Sequence, residues 1–191
     1  MSAAAQARRR RSPDDLEIVV FERGRYTSYS ACGIPYWIGD SVGPMEVLVA
    51  RSPEQHRANG LDVRMRTEVT AIDTTARTVE VRDLDRGVVR DERWDQLMIA
   101  TGSTPLRPDV PGINADGVFG VQVLDDGVAL RDALDGGARE IVVVGGGYIG
   151  LEIAEAMKQR DLHVTVVDRS PTPIGTFDPD IGMFIADAVG R

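Results

Sequence analysis

Three features of this 191-residue chain place reactive groups where they can do chemistry: a glycine-rich turn, acids at strand ends and one cysteine. The turn is Gly145-Gly146-Gly147-Tyr148-Ile149-Gly150. It follows the apolar run Ile141-Val142-Val143-Val144 and opens an amphipathic helix, and Asp168 ends the apolar alternation after that helix. A strand, such a turn and a helix can cradle a dinucleotide. The first glycine allows a tight turn, the second lets the backbone approach a pyrophosphate, and the third lets helix and strand pack closely. The helix start adds free N–H groups and the positive end of its dipole. Asp168 can accept from a ribose 2′-hydroxyl, which favours NAD, while Arg169 beside it can help hold the 2′-phosphate of NADP. The plainer alternative is a glycine-rich turn in some other α/β protein.

The cysteine lies in Ser28-Tyr29-Ser30-Ala31-Cys32-Gly33-Ile34-Pro35-Tyr36. A free cysteine is more often a buried hydrophobe than a nucleophile. Here a Gly and then a Pro follow it, which suits a helix start where a thiolate gains from the dipole. Cys32 also comes just after a strand that ends in Glu22, on the carboxyl side where such sheets bind ligands. Glu22 is the counterpart of Asp168. With a glycine-rich loop before it, Glu22 would hold a second dinucleotide's ribose; alone, it is an ordinary surface acid.

Composition narrows the function classes. A net charge of −8 leaves no basic surplus to neutralise nucleic acid. The run Arg8-Arg9-Arg10-Arg11 reads first as the solvated end of a helix. No apolar stretch approaches the length of a membrane span, and no secretory signal is visible. A single cysteine excludes an internal disulfide or Cys-x-x-Cys pair and points to a reduced, cytoplasmic setting. His56 and His163 lie far apart with no partner cluster, so no metal site is expected.

The elements that must position these groups follow from pattern. A helix is expected over 1–11, broken at Ser12-Pro13, then a strand over 16–22. Ser52 caps a short helix to Asn59, closed by Gly60. Strand patterns occupy 61–93, with alternation at 67–73 and 78–81, and another strand is expected at 96–100. Residues 103–117 read as a linker and 124–134 as a helix. A strand at 140–144, a helix at 148–159, a strand at 163–168 and a helix from about Asp180 complete the chain. The fold class is α/β: two Rossmann-like dinucleotide-binding folds in series, both incomplete, with a small antiparallel β meander. The expected boundaries are 1–104 for a first, partial dinucleotide-binding domain, 105–137 for a linker and connecting helix, and 138–191 for the start of a second dinucleotide-binding domain.

Together these motifs resemble the pyridine nucleotide-disulfide oxidoreductases, in the single-cysteine branch of coenzyme A-disulfide reductases, NADH oxidases and NADH peroxidases. The segment from Ser28 through Cys32 to Pro35-Tyr36 is nearest the coenzyme A-disulfide reductase form. Thr67-Glu68-Val69 resembles the segment that contacts the flavin adenine, and Ala100-Thr101-Gly102 the second FAD motif. Gly145, Gly147, Tyr148, Ile149, Gly150 and Glu152 match the NAD(P)H segment. There the resemblance implies that Tyr148 covers the nicotinamide pocket and Glu152 contacts the nicotinamide amide. It further implies FAD and NAD(P)H as cofactors and a relay of hydride to FAD and then electrons to Cys32. The acceptor is a coenzyme A disulfide, by a mixed disulfide, or oxygen or peroxide, by a sulfenic acid. By the same resemblance Gln6, Arg9 and Ser28 contact coenzyme A, and a longer parent protein is a homodimer.

The chain also departs from the family. Its first strand and glycine-rich FAD loop would precede Met1, while a second FAD segment and a dimerisation domain would follow Arg191. Ala31 stands where an Asn often precedes the cysteine in coenzyme A-disulfide reductases. The expectation is therefore a chain that, alone, holds FAD poorly and turns over little. A non-catalytic NAD(P)-binding or thiol-sensing module is the reading from a different class.

Overall fold

The structure, a computed structural model, describes residues 1–190. They fall into two compact units, Met1–Tyr29 with Val49–Thr104, and Ser30–Leu48 with Pro105–Arg191.

The first unit begins with α1 (Ser2–Arg10), an Ala-rich stretch free of Gly and Pro that ends on Arg8, Arg9 and Arg10, where cations complement the helix dipole. Arg8 turns back to bind the unit together. Its Nε donates to the Gly60 carbonyl at 3.0 Å and its Nη2 to the Leu16 carbonyl at 2.6 Å. Strand β1 (Val19–Glu22) pairs in parallel with β2 (Asp62–Met65), with Glu22 opposite Met65. Helix α3 (Pro53–Ala58) feeds β2 and carries the expected cap. The Ser52 hydroxyl accepts from the Gln55 N–H, and the Gln55 side chain accepts from the Ser52 N–H at 2.8 Å. The antiparallel meander is β3 (Thr67–Asp73), β4 (Thr78–Asp83) and β5 (Val89–Arg93), with a register shift between Val69 and Ala71. Val79 and Val81 are its buried centre.

In the second unit, Cys32 lies in a 3-10 turn (Ala31–Gly33) that runs into α2 (Ile34–Ile38). Helix α4 (Leu124–Asp135) starts where Asp126 reaches back to accept from the Gln122 and Val123 N–H groups at 2.8 and 2.9 Å. Then β6 (Glu140–Val144), α5 (Tyr148–Gln159) and β7 (His163–Val167) form a strand–helix–strand unit, with Glu140 opposite His163 and Val144 opposite Val167 in a parallel ladder. Helix α6 (Pro179–Val189) follows. The core joins Ile34 and Ile38 of α2 to Leu124 and Leu134 of α4 and Met157 of α5, all nearly without exposure. Two glycines let α2 sit this close. A Cβ on Gly39 would lie 2.9 Å from the Ala156 Cα, and one on Gly127 would lie 2.7 Å from the Ile34 side chain.

The α/β class, the parallel pairings and the antiparallel meander all match the sequence expectation. Two local readings are corrected. Only the second half of 16–22 forms a strand, and 96–100 forms none. A strand is defined by its ladder, and 96–100 has no pairing partner among the described residues, so Met98 and Ile99 remain 70% and 65% exposed.

Changing Gly39 to Ala is predicted to cost about 1–3 kcal/mol through overpacking against α5. Gly43→Ala, whose Cβ would meet only Val47 at 3.6 Å, should be near neutral. Urea unfolding of the two variants beside the parent checks this.

Candidate functional site

The glycine-rich turn is built by what its residues lack. Gly145 has φ 113° and Gly147 is the N-cap of α5. A Cβ on Gly150 would run into the Gly145 carbonyl oxygen, so the turn and the helix can approach only without a side chain there. No side chain caps α5 and no acid lies in its first turn, which leaves the N–H groups of Tyr148, Ile149 and Gly150 to an outside acceptor. Tyr148 is 56% exposed and meets Phe177 edge to face with centroids 6.1 Å apart.

Asp168 reaches back to this turn. Its Oδ2 accepts from the Gly146 N–H at 2.5 Å and its Oδ1 from the Ser170 N–H at 2.6 Å. Hydrogen bonds from Ser170 and Gly146 hold its carboxyl below the usual carboxylate range, so it is a carboxylate at neutral pH. These residues fit the diphosphate and ribose of a pyridine dinucleotide.

Cys32 is exposed and free. The turn that carries it is fixed by neighbours on both sides. The Ser30 N–H donates to the Leu48 carbonyl at 2.8 Å and the Gly33 N–H to the Ser30 carbonyl at 3.1 Å. A Cβ on Gly33 would lie 2.5 Å from the end of the buried Leu48 side chain, which would have to shift to admit it. Beyond Cys32, Pro35 and Tyr36 share a small cleft with Glu152 and Ala156 of α5. Glu152, read in sequence as a nicotinamide contact, therefore faces the helix that Cys32 precedes.

In the first unit, Glu22 ends β1 and its Oε1 accepts from the Gly24 N–H at 2.6 Å. Val69 is part-exposed beside the bulge on β3, and Ala100, Thr101 and Gly102 are exposed and irregular, with Gly102 at φ 70° and open space around it. Among the described residues no glycine-rich turn lies beside β1. The Glu22 carboxylate, at the carboxyl end of β1, has the chemistry to accept from a ribose hydroxyl. Gln6 and Arg9 are both exposed on α1, in contrast to Arg8.

Sequence reasoning missed the partner of Ser28. Ser28 has φ 53°, its carbonyl accepts from the Ala50 N–H at 2.9 Å, and its hydroxyl lies 2.9 Å from Nε2 of buried His56. Nδ1 of His56 has no partner. No spacing signals a pair 28 residues apart; only the isolation of a polar His in a short helix could have raised the question.

A match to the family described as pyridine nucleotide-disulphide oxidoreductase runs over residues 1–191. The chain belongs to that family. Among its relatives, an NADH oxidase of Methanocaldococcus jannaschii is 34% identical over 175 residues, 90% of this chain and 39% of the relative. A CoA-dependent NAD(P)H sulfur oxidoreductase of Pyrococcus furiosus is 34% identical over 184 residues, 95% of this chain and 40% of the relative. The chain thus spans about two fifths of the curated relatives it matches. Among solved structures, the reduced CoADR-RHD protein of Bacillus anthracis superposes with a TM-score of 0.92 at 28% identity, over 98% of this chain and 34% of that one. The NADH-bound water-forming NADH oxidase of Lactobacillus brevis gives 0.91 at 32% identity, over 98% and 41%. An engineered form of that oxidase, bound to NADPH, also gives 0.91 at 32%, over the same shares. Its five exchanges include a glycine and, eighteen residues on, an aspartate lost to alanine, with arginine and then serine installed at the next two positions. In this member of the pyridine nucleotide-disulphide oxidoreductases the second unit carries both the glycine-rich turn and the cysteine turn.

Burial pushes the pKa of His56 down, so its imidazole stays neutral in the folded chain. The unfolded chain binds the proton first as pH falls, so this group's contribution is intact above about pH 6.5 and is lost progressively below it. A His56→Gln variant should show a flatter loss of stability between about pH 6.5 and 5 than the parent, read from urea midpoints. An NMR titration should give His56 a pKa below 6.5.

Proposed function

We propose that the protein is an FAD-dependent NAD(P)H oxidoreductase that reduces sulfur at Cys32, with coenzyme A disulfide as the acceptor class. The observation that carries this is the pairing of an exposed free Cys32 with a complete dinucleotide turn in one compact unit. The names of the Pyrococcus relative and the Bacillus structure support it.

The N–H groups at the start of α5, with Gly145 and Gly147, hold the diphosphate of NAD(P)H, and Asp168 accepts from its ribose. Tyr148 covers the nicotinamide site, and Glu152 orients the nicotinamide amide. Glu22, Val69, Ala100, Thr101 and Gly102 serve FAD. The Cys32 thiolate attacks the disulfide, so that a Cys32–coenzyme A mixed disulfide forms and one coenzyme A thiolate leaves. Bound FAD, with NAD(P)H, would supply the two electrons that, with one proton, free Cys32 and release the second coenzyme A thiol. Gln6, Arg9 and Ser28 are the proposed contacts to coenzyme A. A free surface thiol suits the reducing cytoplasm.

A second reading, NADH oxidase or peroxidase, draws on the Methanocaldococcus and Lactobacillus names and on Ala31. Cys32 would then cycle through a sulfenic acid. A third is the non-catalytic NAD(P)-binding module.

The purified chain with FAD added, scanned in the visible before and after NADH, tests the first reading. Where flavin is retained, bleaching followed by a long-wavelength band that is absent in Cys32→Ser supports it. Thiol release from coenzyme A disulfide should fall more than about a hundredfold in that variant. A spectrum and a release rate indifferent to Cys32→Ser would refute the role of Cys32. Oxygen or peroxide consumption without thiol release would favour the second reading. NADH binding with no flavin retained would favour the third.

A further inference from the structure

His56 is 2% exposed, and α3 holds its backbone in place. Its N–H donates to the Ser52 carbonyl at 3.2 Å, and its own carbonyl accepts from the Asn59 and Leu61 N–H groups at 3.1 and 3.3 Å. The ring can therefore serve only the groups around it. Nε2 lies 2.9 Å from the Ser28 hydroxyl, while Nδ1 is buried with no hydrogen-bond partner among the described residues. The serine is held as firmly. Its backbone sits in the left-handed region at φ 53°, uncommon for a residue other than glycine, and its carbonyl is pinned by the Ala50 and Arg51 N–H groups at 2.9 and 3.3 Å. A strained residue persists where its surroundings fix it, and such residues cluster at functional positions.

These bonds decide where the protons lie. Burial keeps His56 neutral, so one ring nitrogen carries a proton and the other a lone pair. A proton on Nδ1 would be a buried N–H with no acceptor, and such orphans are rarer in folded proteins than acceptors left short of a donor. A proton on Nε2 meets the Ser28 oxygen instead. Nε2–H is then the donor and Ser28 Oγ the acceptor, which leaves the one proton of the hydroxyl uncommitted. Ser28 is half-buried, so that proton can reach an acceptor outside the chain.

We propose that His56 is a positioning residue: by donating Nε2–H to Ser28 it makes the serine hydroxyl a donor to an amide carbonyl in the pantetheine arm of coenzyme A. The inference rests on the contact between Ser28 and coenzyme A given under Proposed function, and it adds which residue sets that contact and in which direction its proton runs. Ser28 precedes Cys32 by four residues. The reacting sulfurs sit at Cys32 itself, so a group four residues back meets the atoms behind them, where pantetheine offers carbonyl oxygens. A hydroxyl that spent its proton on His56 would present only lone pairs to such a carbonyl, and two acceptors do not bond.

The test is the rate of mixed-disulfide formation in the purified chain, followed by protein mass; with a single cysteine every adduct is at Cys32, and no flavin is needed. Coenzyme A disulfide and pantethine carry the amide carbonyls, and hydroxyethyl disulfide does not. His56→Leu and Ser28→Ala should each slow the first two by about fivefold, the worth of one neutral hydrogen bond, and hydroxyethyl disulfide by less than about twofold. The double variant should be no slower than Ser28→Ala, since both residues act through one bond. His56→Gln, whose amide N–H can donate to Ser28, should recover part of the rate. Imidazole nitrogen NMR of the parent should place the ring proton on Nε2. A proton on Nδ1, equal slowing of all three disulfides, or a double variant slower than Ser28→Ala overturns the inference alone. So does His56→Leu that matches the parent while Ser28→Ala slows the amide-bearing disulfides. If Ser28→Ala matches the parent too, the contact of Ser28 with coenzyme A falls, and this inference with it. Should His56→Leu fail to fold, the proton position and the His56→Gln rates decide.

Discussion

The close approach of α2 to α5 at Gly39 is the constraint on which the second unit depends. A five-residue helix has no stability of its own, since helix formation is nucleation-limited and short helices exist only by packing. Helix α2 persists because Ile34 and Ile38 are wholly buried against α4 and α5. Burying two such side chains contributes roughly 3–6 kcal/mol before chain entropy is counted. That burial requires a bare backbone at Gly39 and Gly127. The chain leading into α2 is the turn that holds Cys32, and the helix against which it packs starts at the dinucleotide turn. One packing contact thus ties the cysteine turn to the glycine-rich turn.

Polar groups seal this contact. Arg131 stacks on Trp37 at 5.0 Å and donates to the Trp37 carbonyl and to Asp40, each at 2.5 Å. Arg160, just past α5, donates to the Ile38 carbonyl at 3.1 Å and pairs with Asp135 of α4. The carboxylates of these pairs are more than half exposed, so their Coulombic worth is small. Their effect lies in capping the end of α2: Arg160 takes the Ile38 carbonyl, and Arg131 joins the Asp40 N–H on the Trp37 carbonyl. The arginines thereby fix direction, and the apolar core supplies the energy.

Much of this was legible in sequence, for reasons that differ by element. The strand at 140–144 and the helix at 148–159 were bounded correctly because an apolar run, a glycine cluster and a 3.6-residue period occur in succession there. The Ser52 cap was legible because a Ser opens and Gly60 closes the segment; the reciprocal bond from Gln55 emerged only in the structure. The apolar run at 96–100 misled because hydrophobicity reports what a segment can bury and not whether a partner strand lies beside it. Cys32 was legible by type and setting, but the packing that fixes it was not. Gly39 and Ala156, like Ser28 and His56, are brought together by topology that no local pattern encodes.

Native-state hydrogen exchange with and without NADH tests most directly whether the cysteine turn and the nucleotide turn share one cooperative unit. A ligand that binds only the closed form slows every amide whose exchange needs the shared opening, by about a hundredfold at a hundredfold excess over Kd. The amides of Gly39 and Ser41, bonded to Pro35 and Tyr36 of α2, should slow by the same factor as those in the second half of α5. Slowing confined to β6 and α5, with α2 unchanged, would contradict the account.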